Sequence, residues 1–455
     1  MSAATLQPRL VAIAYPLYGE LALGMAAGIV GTVLAARVSD SAGAAFGLAN
    51  QVFAMVFLAF RIVGAGIGVV VARGLGSGRP EVARSSALAA LGASTWSGVV
   101  IALAACAGAY PLLGALNAPA EILPLAAPFL QWLAPSLLLD AWNASMASVM
   151  RAHLRVRDTL AVIVVMPATH LALALSLMPS LGLTGFALAL GASRLAGIVL
   201  HLSLWRLRLG LVPRASDWWR LPRAELGEIV RIGLPGAAEN AAYRLAFLVS
   251  VAVAGLLGTR ALATQAYVLQ INIVTLLFGL AIGLAAEIVV GHLVGARKLR
   301  EAQHLVLRAL AAGLAISVAA AAAAAIAGPW LLTLFTRDAS IIATGTTLLW
   351  ITVLLEPGRT FNLVVINALR AAGDARYPVV AGAASMAIVL AGGSWWLGMH
   401  LGLGLAGVWI AYAADEWVRG ILMWRRWASL QWIAHARGAH RRLRHTTRWK
   451  GRMGS

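Results

Sequence analysis

The chain contains one long segment twice, and this repeat limits the folds that are open to it. Tyr15–Glu20 reads YPLYGE in the first long apolar run and Leu234–Glu239 reads LPGAAE in a later one, so 235 − 16 = 239 − 20 = 219. The same offset relates further pairs without a gap: Gln51 and Gln270, Gly64 and Gly283, Gly76 and Gly295, Asn143 and Asn362, and Arg151-Ala152 and Arg370-Ala371. The repeat predicts two copies of one structural unit.

Composition identifies the class of protein. Apolar residues make up 61% of the chain and charged residues 12%, which excludes a soluble globular protein. A helix that crosses a bilayer needs about 20 mostly apolar residues. Twelve such runs are present, at 10–36, 44–72, 87–113, 121–150, 159–178, 184–205, 229–257, 261–291, 305–328, 339–369, 378–400 and 403–424. These runs are too long for barrel strands, so we expect an all-α polytopic membrane protein with twelve transmembrane helices.

The number of spans sets the symmetry of the repeat. Each half has six spans, an even number, so both halves enter the membrane in the same direction and form a parallel repeat. We expect an N-lobe at 1–206, a cytoplasmic linker at 207–228, a C-lobe at 229–426 and a basic cytoplasmic tail at 427–455. These would be two pseudo-symmetric six-helix lobes.

Basic residues predict the orientation, because positive loops stay on the cytoplasmic side. The loops that follow odd-numbered spans hold only Arg37, Arg260 and Arg337, whereas those that follow even-numbered spans are rich in arginine. Both termini should therefore face the cytoplasm, in the cytoplasmic (inner) membrane. The first run includes Glu20 and exceeds the length of a signal-peptide core, so we interpret it as a mature helix.

The net charge of +19 arises partly from the tail, where basic residues alternate with tryptophans. This pattern favours an anchor in the lipid headgroup layer over nucleic-acid binding. The single cysteine, Cys106, can form no internal disulfide. We expect the protein to be a monomer.

Several motifs, in their order and spacing, resemble the multidrug and toxic compound extrusion (MATE) family of transporters. They are Gly233–Glu239 (GLPGAAE), Gly258–Gln265 (GTRALATQ), Val294–Lys298 (VGARK), Leu369–Pro378 (LRAAGDARYP) and Gly404–Ile410 (GLAGVWI). The resemblance covers essentially all twelve spans. It implies two six-helix lobes around a cleft and the export of organic, often cationic, compounds, driven by entry of protons or sodium ions without an organic cofactor.

Acids inside the spans are candidates for binding the coupling cation, because a charge at the bilayer centre costs about 2.5 to 3.5 kcal/mol on insertion scales. Glu20 and Glu239 each lie one turn after a proline, and a count along the helix places Glu20 about 15 Å from its start, near the midplane. A carboxylate and a carbonyl freed by the proline would suit a proton or a sodium ion. The alternative for Glu20 is a static ion pair with Arg61 or another helix.

Other acids extend this set. Asp140 shares a helix face with Asn143, and the equivalent face of the second half carries Arg359 and Asn362. Glu356, one turn before Arg359, is a further coupling candidate or else simply neutralises that arginine.

Asp415 and Glu416 are adjacent in the last span. Neighbouring residues on a helix should point in different directions, so at most one faces the cleft. Asp415 completes the set of candidate coupling residues.

The chain departs from the MATE pattern in its first half. Many prokaryotic members carry an aspartate fifteen residues after the first-span proline, where this chain has Gly31. An aspartate common in the fifth span is also missing, because the run from His170 to Leu175 supplies no acid. Coupling would then depend on Glu20 or on the C-lobe around Glu239.

Polar groups that recur in both halves are candidates for binding substrate, together with an aromatic ring that suits an organic cation. They are Gln51, Gln270, Asn143, Asn362 and Tyr243. The alternative for the four amides is hydrogen bonding between helices, worth about 0.6 kcal/mol each.

The sequence shows neither a nucleotide-binding Gly-x-x-x-x-Gly-Lys-Ser/Thr loop nor a His-Glu-x-x-His metal motif, so we expect no enzyme. The predicted function is a secondary active, cation-coupled antiporter that exports organic compounds by alternating access. Two alternatives stay open: a lipid-linked oligosaccharide flippase of the wider superfamily, and a membrane scaffold or sensor that has lost coupling.

Overall fold

The computed structural model describes residues 10–116 and 118–438, without the side chains of residues 54–63, 65 and 224. Every regular element in this part of the chain is helical. The predicted all-α membrane fold is confirmed. Arg61 and the tail beyond residue 438 fall outside the described side chains.

The first half is built from long helices joined by short connections. They are α1 (Leu10–Val38), α2 (Asp40–Gly76), α3 (Pro80–Ala107), the short α4 (Ala109–Ala115), α5 (Leu123–Ala152) and α6 (Val156–Leu204), which a π-helical turn extends to Leu209. A 3₁₀ turn at Ala215–Trp218 follows within the predicted linker.

The second half repeats this order. It comprises α7 (Arg223–Leu256), α8 (Thr259–Gly295), α9 (Leu299–Ile326), the short α10 (Gly328–Thr333), α11 (Ala339–Ala372), α12 (Arg376–Ser385), α13 (Gly393–Trp395) and α14 (Gly404–Ala428). Two π-helical segments, Met386–Gly392 and Trp396–His400, join α12 and α13 into one span, Arg376–His400.

Eight helical segments of the described chain are long and apolar enough to cross a membrane. One of them, Val156–Leu209, has 54 residues and contains the predicted fifth and sixth spans. The helices α2, α5 and α14 complete the expected twelve; they have 37, 30 and 25 residues, and about 20 residues span the hydrocarbon core.

Glycines separate the last two spans of each half. Inside α6 the backbone of Gly182 is non-helical, with φ 55° and ψ −134°, and Gly404 at the start of α14 has φ 57°. Only glycine adopts such angles without strain. The two positions are related by 404 − 182 = 222, so the second half has three more residues than the first by this point.

Three residues later, each half brings two backbones into contact. A Cβ atom on Gly185 would lie 2.7 Å from the carbonyl carbon of Leu177, and one on Gly407 would lie 2.6 Å from that of Leu397. The offset is again 407 − 185 = 222. The final span of each half therefore packs closely against the end of the span before it.

The described chain forms two compact units. One comprises residues 19–237, and the other comprises residue 238 onwards together with the residues up to 18. The boundaries are related by the repeat, since 237 − 18 = 219, and each lies two residues after a proline of the repeated motif. The predicted lobe boundaries at 206 and 229 stay a prediction about the membrane arrangement.

The close packing of Gly185 and Gly407 generates a test. Gly185→Ala and Gly407→Ala should each lower the melting temperature of the purified protein by several degrees, because the added methyl group meets backbone atoms, and overpacking costs about 1 to 3 kcal/mol. Gly191→Ala, on the same helix with open space around its Cα, should have no such effect. Equal melting temperatures for all three variants would contradict the packing described.

Candidate functional site

The repeated glutamate and the repeated arginine form an ion pair in each half. Glu20 on α1 accepts a hydrogen bond from Arg151 on α5 at 2.8 Å, and Glu239 on α7 pairs with Arg370 on α11. Both pairs join the first helix of a half to the fourth span of that half. Both glutamates are buried, so each has a partner of opposite charge where water is excluded.

The sequence contained the evidence for these pairs. Both glutamate positions and both arginine positions obey the offset of 219, and the separation within each pair is the same, 151 − 20 = 370 − 239 = 131. A duplicated acid and a duplicated base in one buried unit indicate each other as partners. The static partner of Glu20 is therefore Arg151, on α5.

The pairs also relate the two glutamates to the ends of neighbouring helices. Arg151 is the last residue but one of α5, and Arg370 lies two residues before the end of α11. Glu20 and Glu239 are thus one arginine side chain away from the helix ends that are predicted to be cytoplasmic. Their depth near the midplane stays a prediction.

A second buried pair occurs in both halves with its charges exchanged. In the first half Asp140 on α5 contacts Arg194 on α6 at 2.5 Å. In the second half Arg359 on α11 contacts Glu416 on α14 at 3.2 Å. The positions correspond, because 359 − 140 = 219 for the fourth span and 416 − 194 = 222 for the sixth, the same offset as between the span-ending glycines.

The repeated asparagines support this second pair. Asn143 donates to the backbone carbonyl of Arg194 at 3.0 Å and also contacts His201 at 3.1 Å. Asn362 donates to the carboxylate of Glu416 at 3.1 Å. Both amides form the interhelical hydrogen bonds that the sequence left open as the alternative to substrate binding.

The second half gathers further charges around Arg359. Glu356 contacts Arg359 at 2.5 Å, and Arg419 contacts Asp415 at 2.7 Å and Glu416 at 2.9 Å. All five side chains are buried, with side-chain exposures of 11% or less. We refer to Glu356, Arg359, Asp415, Glu416 and Arg419 as the C-lobe cluster.

Asp415 and Glu416 lie against different helices, as expected of neighbours on a helix: Asp415 accepts from Ser385 of α12 and Glu416 from Asn362 of α11. They nevertheless share a partner, Arg419. Arg419 lies four residues after one and three residues after the other, and both spacings place side chains together on a helix. A long guanidinium side chain can therefore reach both carboxylates. The prediction considered only the directions of the two acids and not a shared partner.

The charges of the two halves do not balance equally. In the first half the equivalent pair has one carboxylate, Asp140, and one arginine, Arg194. The C-lobe cluster has three carboxylates and two arginines, which leaves one formal negative charge in excess. This difference between equivalent regions distinguishes the second half chemically.

The region of the missing first-half acids is aromatic. A Cβ atom on Gly31 would lie 3.1 Å from a ring carbon of Phe46 and 3.3 Å from one of Phe186, and the ring of His170 packs edge-on against Phe186 at 4.6 Å. A carboxylate at residue 31 would meet phenylalanine rings, which offer it no hydrogen-bond donor. The packing in this part of the first half therefore suits a small apolar residue.

The remaining substrate candidates have different environments. Tyr243 lies under the guanidinium of Arg419, 5.9 Å from the ring centroid, and is therefore next to the C-lobe cluster. Gln51 and Gln270 are exposed in both halves. Their role in binding substrate stays a prediction.

Among the residues that the structure describes, no group of three or more His, Cys, Asp or Glu side chains is arranged to hold a metal ion. In the C-lobe cluster the carboxylates instead face guanidinium groups. In this arrangement several carboxylates share the same guanidinium partners.

Comparison with known proteins gives this fold a class, that of membrane transporters. The sequence model of the MatE family matches residues 16–176 and 235–396, two matches whose starts differ by 235 − 16 = 219. The chain belongs to the MatE family. The resemblance read from its motifs is confirmed, and members of this family are transporters, not enzymes.

Relatives of similar length support this assignment. The chain is 31% identical to the Uncharacterized transporter YisQ of Bacillus subtilis (strain 168) over 430 residues, 93% of this chain and 94% of the relative. It is 29% identical to a Probable multidrug resistance protein NorM of Bradyrhizobium diazoefficiens over 412 residues, 86% and 87% of the two chains.

Solved structures share the fold at low sequence identity. A MOP superfamily transporter from Pyrococcus furiosus superimposes with a TM-score of 0.84 at 19% identity, over 94% of this chain and 96% of that one. An outward-facing multidrug resistance MATE family transporter gives a TM-score of 0.85 at 19% identity, with the same coverage. This likeness shows that the chain has the twelve-helix fold of these transporters.

The Glu–Arg pairs predict a compensation experiment. Glu239→Gln should destabilise the protein by about 3 kcal/mol, because it removes the carboxylate that the buried Arg370 contacts directly. The double variant Glu239→Gln/Arg370→Gln should recover most of this loss, as should Glu20→Gln/Arg151→Gln for the first half. Thermal unfolding of the purified variants measures the effect. If neither double variant regained stability, the glutamate would not stabilise the protein through its ion pair with the arginine.

The exchanged charges predict that polarity can be reversed in the first half. Asp140→Arg and Arg194→Glu should each abolish folding or strongly lower the melting temperature, because each places two like charges together. The double variant reproduces the order of charges found at Arg359 and Glu416, and it should be more stable than either single variant. A double variant that is less stable than both single variants would show that the two halves do not tolerate the same exchange.

Proposed function

We propose that the chain is a proton-coupled antiporter that exports organic cations across the inner membrane, and that Glu356 and Asp415 in the C-lobe cluster hold the coupling proton. Membership of the MatE family supports transport. The observation that supports coupling at this site is the excess of one buried carboxylate.

The proposal follows from the energetics of buried charge. An ionised carboxylate without a partner costs several kcal/mol in a protein interior, and the two arginines of the cluster can compensate only two of the three acids. A proton on one carboxylate removes the excess charge. The cluster therefore has two states of similar geometry that differ by one proton.

Hydrogen bonding indicates which acid accepts the proton. Glu416 receives donors from Arg359, Asn362 and Arg419, and Asp415 receives them from Ser385 at 2.7 Å and from Arg419. Within the described part of the chain, Glu356 accepts a hydrogen bond from Arg359 alone, so it has fewer donors than the other two acids. The ionised form of Glu356 is therefore stabilised by fewer hydrogen bonds than that of the other two acids. We expect Glu356 to accept the proton first and Asp415 second.

The chemistry of the cluster favours a proton over a sodium ion. Hard cations bind several oxygen ligands together, whereas these oxygens point at guanidinium nitrogens, which repel a metal cation. A proton needs one carboxylate oxygen only. Replacing a proton with a cationic substrate near Tyr243 would restore the same charge balance, and such linkage requires that proton and substrate favour opposite conformations.

The test is efflux of a fluorescent organic cation from proteoliposomes, driven separately by a proton gradient and by a sodium gradient. The parent protein should respond to the proton gradient. Glu356→Gln should lower proton-driven efflux at least about tenfold, since an amide cannot take up the proton, and Asp415→Asn should lower it less. Substrate binding in detergent should release a proton from the parent and none from Glu356→Gln.

Two control variants separate coupling from folding. Glu121→Gln makes the same chemical change at an exposed residue and should transport like the parent. Glu416→Gln removes the acceptor of three donors and should lower the melting temperature. Sodium-driven efflux in the parent, or full proton-driven efflux in Glu356→Gln, would contradict the proposal. No efflux of the probe by folded parent protein under either gradient would also contradict it.

A further inference from the structure

The segment between the two halves is held firmly against the first half. We call residues 205–223 the interfacial platform. Trp205 is fully buried and donates a hydrogen bond to the carbonyl of Met146 at 3.3 Å. The 3₁₀ turn that follows is closed by Asp217, whose carboxylate accepts from the backbone of Arg214 at 2.8 Å.

Tryptophans attach this turn to two membrane-spanning helices. The ring of Trp218 packs edge-on against Trp142 of α5 at 4.8 Å. Trp96 of α3 packs against Trp219 and also donates to its carbonyl oxygen at 3.0 Å. The carbonyl of Arg220 lies against Gly92, where a Cβ atom would be only 1.9 Å from that oxygen.

These contacts set the depth of the platform. The predicted third span starts at residue 87, so Gly92 and Trp96 lie about 8 and 14 Å inside it at 1.5 Å per residue. Trp142 lies eight residues before the end of the predicted fourth span, about 12 Å inside it. Segments that lie in the membrane interface are inserted to about 5 to 10 Å. On the predicted bounds of these spans, we expect the platform to lie near the boundary between headgroups and acyl chains.

The outer surface of the platform combines apolar and positively charged side chains. Leu207, Val212, Trp219 and Leu221 are exposed by 78, 56, 59 and 46%. Five exposed arginines lie between and beside them: Arg206, Arg208, Arg214, Arg220 and Arg223. Asp217 is the acid of this segment and is engaged in its own turn. Asp158 lies 4.0 Å from Arg208, so the other four arginines carry the positive charge of this surface.

We propose that this platform binds anionic phospholipids of the leaflet in which it lies. The exposed apolar side chains enter the acyl region, while the arginines contact phosphate groups bidentately. A loop whose arginines served only to set the topology would need neither the apolar side chains nor rigid attachment at this depth. The interfacial platform then anchors the first half to the lipid surface.

The experiment measures lipid preference in nanodiscs. Spin-labelled phosphatidylglycerol and phosphatidylcholine are compared by their relative association with the full-length protein. The platform variant carries Arg→Gln at residues 206, 214, 220 and 223. The control variant carries Arg→Gln at residues 84, 155, 157 and 300, which are exposed and lie in loops predicted on the same side. The two variants have equal net charge.

The parent should prefer phosphatidylglycerol, and the platform variant should lose at least about tenfold of this preference, since one arginine near a membrane surface contributes about fivefold. The control variant should keep most of the preference for phosphatidylglycerol. Added inorganic phosphate should leave the preference of the parent unchanged, because the site binds lipid. Trp219→Ser should weaken the residual preference that persists at high salt, because apolar contacts are not screened.

Equal losses in the platform and control variants would overturn the proposal in favour of a general effect of charge. An undiminished preference in the platform variant would overturn it as well. Melting temperatures in phosphatidylcholine alone establish that each variant is folded, so both outcomes are decisive. Neither depends on proton coupling, since no transport is measured.

Discussion

A charge that is buried in a membrane protein needs a partner, and the interior of this transporter is organised by that requirement. In each half a glutamate on the first helix meets an arginine at the end of the fourth span, and a second ion pair joins the fourth span to the sixth. Without these partners each charge would cost several kcal/mol. The pairs therefore determine which helices lie side by side as well as how stable the halves are.

The repeat preserved positions more strictly than charges. The second pair has an acid on the fourth span in one half and a base there in the other, yet it joins equivalent helices. Glu356, Asp415 and Arg419 give the second half an unbalanced cluster, while aromatic rings pack around Gly31 in the first. Two halves with one backbone plan thus have different interiors, and the proposed proton coupling belongs to the half with the surplus acid.

The sequence predicted the fold well because span length and hydropathy are local properties that lipid enforces strictly. It also identified the candidate acids. It did not pair Glu239 with Arg370, because residues 131 apart meet only through the packing of helices. It placed Asp415 and Glu416 in different directions but did not predict that Arg419 contacts both. The depth of Glu20 in the membrane stays a prediction, since helix stagger is a tertiary property.

The contacts of the linker with the first half determine where the chain can be divided into two fragments. Cleavage or separate expression at the predicted junction near residue 206 would remove Trp218 and Trp219 from the first half and uncover Gly92 and Trp96. A fragment that ends after residue 237 would keep these contacts and the whole compact unit 19–237. The chain is therefore better divided inside α7 than at the loop that precedes it.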